Sequence, residues 1–209
     1  MNPVLLVTGG SRGIGAATAL LAARQGWAVA VNYTQNAAAA NAIVQQIKSG
    51  GGQAVSIQAD VGDEAQIKHL FAQVDTQLGR LTGFVNNAGV LDVAVRVDEL
   101  SWERAERIMR INVVGAMICA REAVLRMSTK HGGKGGAIVN LSSIAGIRNF
   151  RGGRTHVGYS AAKAAIIQFS RSTAGAFARK NIRCNTVIPG LMHTPLVEFR
   201  LTRQLGKND

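Results

Sequence analysis

Apolar residues come in short unbroken runs separated by longer stretches with helical spacing. VLLVTG (4–9) is an apolar run stopped by glycine, and GIGAATALLAARQG (13–26) follows with helix-forming residues and a terminal glycine. The same alternation recurs along the chain. WAVAVNY (27–33), QAVSIQAD (53–60), LTGFVNNAG (81–89), GAIVNLSS (136–143) and IRCNTVIPG (182–190) predict strands. Segments 36–52, 63–79, 101–130 and 158–180 predict helices, the third opened by Ser101 with Glu103 close behind. Strands made of continuous apolar residues are buried on both faces. Six of them alternating with helices predict a parallel α/β sheet covered on both sides, in one domain over 1–209. Ligands of such sheets lie beyond the carboxyl ends of the strands, so chemistry is expected at those ends.

Composition changes this picture little. The 209 residues are 47% hydrophobic, enough for one sizeable core, and no apolar run is long enough to span a bilayer. The N-terminus lacks the charged region and cleavage site of a signal peptide. Cys119 and Cys184 have neither metal nor redox spacing and read as buried thiols in a reducing, cytoplasmic setting. Charge is less ordinary. The net charge is +12, and eleven Lys or Arg but no acid fall between Ala123 and Val197. Such an excess can attract phosphate, acidic partners or nucleic acid, or it is solvated surface whose balancing acids lie elsewhere. No aromatic stacking platform or recognition motif accompanies it, so nucleic acid is not expected as a partner.

The candidate chemistry begins with TGGSRGIG (8–15), between the first strand and the first helix. Gly9, Gly13 and Gly15 permit a tight turn and close backbone approach to a pyrophosphate at a helix start. After the second strand, Asn32, Tyr33 and Thr34 stand where a carboxylate holds the ribose in an NAD site. The first carboxylate of the chain is Asp60, and Arg12 lies inside the loop. A guanidinium favours a 2'-phosphate, so NADP(H) is preferred, with NAD(H) as the alternative. Farther on, Tyr159 and Lys163 are one helical turn apart. At that spacing an ammonium lowers the pKa of a phenol and fits it for acid–base work.

TGGSRGIG, Asp60-Val61, NNAG (86–89), Asn112, NLSS (140–143), Tyr159-x-x-x-Lys163 and PGLMHT (189–194) occur in that order. Together they resemble the short-chain dehydrogenase/reductase family, near its NADP-dependent 3-oxoacyl-carrier-protein reductases and sugar or polyol dehydrogenases. The resemblance implies a Rossmann-type doubly wound sheet in the order 3-2-1-4-5-6. It also implies hydride transfer between NADP(H) and a carbonyl or secondary alcohol, without a metal. Tyr159 would exchange the proton, Lys163 would bind ribose and lower the Tyr159 pKa, and Ser143 would hold the substrate oxygen. Asn112 would hold a relay water. Gly9, Ser11, Arg12, Gly13, Ile14 and Gly15 would contact the cofactor, with Asp60, Val61, Asn87, Ala88 and Gly89 around adenosine. Pro189, Gly190 and Thr194 would meet the nicotinamide side.

Family members commonly pair the helices at 101–130 and 158–180 into homodimers and homotetramers. The stripe Ala165, Ile166, Phe169, Phe177 serves that interface or the internal core. Two departures stand out. The segment between Ser143 and Tyr159 is longer than usual and carries Arg148, Arg151, Arg154 and His156, a cationic patch for an anionic or carrier-bound substrate or a plain solvated loop. After Thr194, only PLVEFRLTRQLGKND follows where the family continues with a lid, a helix and a seventh strand. The expectation is that these elements are missing or truncated. A cofactor-binding protein without turnover is therefore the alternative to an enzyme.

Overall fold

The computed structural model describes residues 2–148 and 156–194. Arg151, Arg154 and the segment after Thr194 lie outside the described residues. Six parallel strands form one sheet: β1 (Val4–Val7), β2 (Ala28–Tyr33), β3 (Ala54–Gln58), β4 (Leu81–Asn86), β5 (Gly136–Leu141) and β6 (Ile182–Val187). Their order is 3-2-1-4-5-6, as expected, with neighbours in parallel register, for example Val7 beside Val31 and Val85. The order reverses direction between β1 and β4. Flanking loops part there and leave a crevice at the carboxyl ends of the strands.

Helices α1 (Gly13–Arg24) and α2 (Ala37–Ser49) cover one face of the sheet. Residues Val7, Val29, Val31, Ala19 and Val44 form the core between them. Helix α3 (Glu64–Gln77) covers the other face with residues from the 102–127 region. There Leu6, Phe71, Phe84, Cys119, Met127 and Ile138 are buried. Strand residues alternate between these two cores, which is why the strands are apolar at nearly every position. Cys119 and Cys184 are free and buried, and burial pushes the Cys119 thiol to about 12 and Cys184 to about 11.

The region 101–130 is not one regular helix. Helix α4 (Trp102–Met109) passes through a π-helical turn (Arg110–Gly115) into α5 (Ala116–Met127). Two contacts hold this widened turn. Asn112 pairs with the backbone of Val90, accepting from its N–H and donating to its C=O, both at 2.8 Å. Gly115 lies so close to the β3–α3 connection that a Cβ there would collide with the Val61 carbonyl oxygen. A widened turn absorbs the extra residue between these anchors. Helix α6 (Val157–Phe177) matches the expected segment, and a short 3₁₀ turn completes it at Ala178–Lys180. Of the apolar stripe on α6, Ile166 is buried and Phe177 packs on the main core.

Substituting Gly115→Ala forces the π turn away from Val61. The expected loss is about 1–3 kcal/mol of unfolding free energy, read as a lower urea midpoint. An unchanged midpoint would show that the turn is not held against Val61.

Candidate active site

The crevice is built first by the loops after β1 and β4. Thr8 is buried, and its hydroxyl accepts from the N–H groups of Asn87 (3.0 Å) and Ala88 (3.1 Å). The Asn87 amide donates back to the carbonyls of Thr8 (2.9 Å) and Gly9 (3.1 Å). Gly9 holds φ 61°. Gly15 packs so tightly that a Cβ would meet the Gly9 carbonyl oxygen. Helix α1 begins at Gly13 with no side-chain cap and no acid in its first turn. Free N–H groups at a helix start, with no carboxylate nearby, suit a phosphate. The exposed Arg12 borders this cradle and makes no ion pair among the described residues.

Past the ends of β2 and β3, Asp60 accepts from Gly62 N–H at 2.8 Å, Val61 is buried, and Tyr33 and Thr34 stand partly or fully exposed. Asn32 behaves differently. It is 1% exposed, and its amide is taken up by backbone on both sides, accepting from Gly9 N–H and donating to the Ala59 carbonyl.

The reactive end is organised around α6. The Ser142 hydroxyl donates to the Lys163 carbonyl at 2.7 Å, and the Lys163 amine donates to the Leu141 carbonyl at 2.7 Å. This reciprocal pair fixes α6 against the end of β5. Ser143, one residue on, accepts from Ala145 N–H and lies near enough to Tyr159 to act on its phenol. Ser143, rather than Ser142, therefore faces the phenol. An open cleft lies before them. Ile14, Leu91, Leu191 and Met192 give it apolar walls, with His156, Ser160, Pro189, Gly190 and Thr194 also at its lining. His156 was recognisable in sequence only as part of a basic loop; the structure places it in the wall, at the start of α6.

One expectation needs correction. Burial pushes the Tyr159 phenol up from 10, with only the Ser143 hydrogen bond acting downward. Burial lowers Lys163 from 10.5 to about 8. The Lys163 amine sits 5.6 Å from the Tyr159 ring centre, over the ring, and reaches toward Leu141. In the free chain desolvation outweighs the ammonium, and Tyr159 remains a neutral acid. Asn112 is also engaged: its amide holds Val90, so a relay water there has only its backbone to bind.

A sequence model of the family described as short chain dehydrogenase matches residues 3–204. The chain belongs to the short-chain dehydrogenase family. An Escherichia coli K12 protein named as the uncharacterized oxidoreductase YgfF is 45% identical over 92% of this chain and 77% of that protein. A Synechocystis protein named 3-oxoacyl-[acyl-carrier-protein] reductase is 36% identical over 93% of this chain and 76% of its own length. The crystal structure of a short chain dehydrogenase from Burkholderia cenocepacia J2315, in complex with NADP, superposes with a TM-score of 0.85. It shares 34% identity over 93% of this chain and 76% of that one. This short-chain dehydrogenase is thus an oxidoreductase. Among its described residues no helix is long and apolar enough to cross a membrane, and no cluster of His, Cys, Asp or Glu could hold a metal ion.

The Lys163 shift carries a sign. Below about pH 8 the folded chain carries a buried ammonium, while the unfolded chain keeps its proton up to 10.5. Between these values the unfolded state binds more protons, so stability rises with pH. Relative to Lys163→Met, the parent should gain on the order of 2 kcal/mol between pH 7.5 and 9.5 in urea unfolding. A constant difference would mean that the amine is solvated.

Proposed function

We propose that the chain is an NADP(H)-dependent reductase of carbonyl compounds that also oxidises the matching secondary alcohols. The observation that carries this reading is that Ser143 and Tyr159 line one cleft, with the Lys163 amine over the phenol ring and the glycine cradle beside it. The bound cofactor supplies a hydride to the carbonyl carbon. As negative charge grows on the substrate oxygen, Ser143 donates a hydrogen bond to it and Tyr159 delivers its proton. The raised pKa keeps that proton on Tyr159 at neutral pH. Lys163 binds ribose hydroxyls and, with the cationic oxidised cofactor, stabilises the phenolate left behind. Asn112 holds the nearby backbone and the entry to a water relay. Arg12, unopposed by a carboxylate at Asn32, Tyr33 or Thr34, favours the 2'-phosphate of NADP over NAD. Asp60, Val61, Ala88 and Gly89 line the adenosine.

The apolar walls around Leu91, Leu191 and Met192 favour a substrate with an apolar group beside its carbonyl. An anionic or carrier-bound substrate fits the basic segment that starts at Arg148. The Synechocystis reductase and the NADP complex of the Burkholderia protein support the same reading. A cytoplasmic homodimer or homotetramer accords with the free buried thiols and with the family's habit.

The test is Tyr159→Phe, followed by NADPH oxidation at 340 nm against a panel of ketones and 3-oxoacyl thioesters. Turnover should fall about 10²–10⁴-fold while NADPH affinity stays within about threefold. A variant as active as the parent would overturn the assignment. NADPH binding without turnover by the parent on every carbonyl would leave a cofactor-binding protein.

A further inference from the structure

Asn32 is the least exposed polar residue at the cofactor end of β2, at 1%. Its side chain reaches two separate segments. The amide oxygen accepts from Gly9 N–H, in the phosphate cradle, at 3.2 Å. The amide nitrogen lies 3.0 Å from the Ala59 carbonyl, 3.3 Å from that of Ile57 and 3.4 Å from that of Tyr33. Its own carbonyl accepts from Gly10 N–H at 2.8 Å. Ala59 immediately precedes Asp60 and Val61. One buried amide therefore spans the cradle that faces the phosphates and the chain end that faces adenine.

We infer that Asn32 is a positioning residue that sets the spacing between the phosphate cradle and the adenine edge, so that the two halves fit one dinucleotide. The inference rests on the cofactor reading above. A planar amide is suited to this post because it offers an acceptor and two donors on opposite sides. Aspartate cannot donate toward Ala59 and Ile57, and an apolar residue leaves buried backbone groups without partners. A cofactor that touches both segments gains from having them pre-set; loss of the tether lets them relax apart and lowers affinity for the ligand that bridges them.

The experiment compares the parent, Asn32→Ala and Asn32→Ser by fluorescence titration with NADPH and by calorimetry with adenosine 2',5'-bisphosphate. Ser170→Ala is the control. It removes a buried hydroxyl that binds Asn140 and Ile166, away from the cradle. Titrations are made well below each melting temperature, so a merely structural role lowers Tm without moving Kd. The expected result is at least a tenfold rise in Kd for NADPH in Asn32→Ala, with Ser170→Ala within twofold of the parent. Should the alanine variant fail to fold, the serine variant decides by the same criterion. A Kd within twofold of the parent in the folded Asn32 variant overturns the inference. Failure of the parent itself to bind NADPH would instead defeat the cofactor reading.

Discussion

The docking of α6 onto the end of β5 is the constraint on which the site depends. Two hydrogen bonds make it: the Ser142 hydroxyl to the Lys163 carbonyl, and the Lys163 amine to the Leu141 carbonyl. They cross between the same two short segments in opposite senses. Together they set the rotation of the helix about its axis and its height along the strand. Tyr159 lies one turn earlier on that helix and Ser143 two residues past that strand. Once the docking is set, the phenol and the hydroxyl have to meet. The cost is a buried amine, and its lowered pKa is the trace of that cost.

The rest of the crevice follows the same economy of backbone contacts made by side chains. Thr8, Asn87, Asn112 and Asn32 each hold main-chain groups of a neighbouring loop rather than reaching into open space. Parallel strands cannot be joined by tight hairpins, so their carboxyl-end loops diverge and need side-chain ties to keep a fixed spacing. Thr8 and Asn87 directly after β1 and β4, Asn32 near the end of β2 and Asn112 in the π turn supply those ties. The glycine cradle is therefore a product of the loops' mutual bonding as much as of its glycines.

Much of this was legible in sequence for a simple reason. Continuous apolar strands bounded by glycine or asparagine have one solution, a parallel sheet with its chemistry at the carboxyl ends, and the strand order followed from the ordered motifs. Three things were not legible. The π turn around Asn112 arises from tertiary anchors at Val90 and Val61, which helical periodicity does not record. The engagement of the Asn32 amide depends on its contacts with Gly9 and Ala59, far along the chain. The Tyr159 and Lys163 pKa shifts depend on burial, and spacing alone suggested the opposite sign for the phenol.

Desolvation thus keeps the phenol protonated in the free chain, ready to donate. The chain has two tyrosines, Tyr33 and Tyr159, so a titration with ¹³Cζ-tyrosine, assigned by deleting one ring, reads Tyr159 directly. Without cofactor, its resonance should report a phenol still more than half protonated at pH 10. Ionisation complete by pH 9 in the free protein would contradict it, and would show that the neighbouring ammonium, not burial, governs the proton.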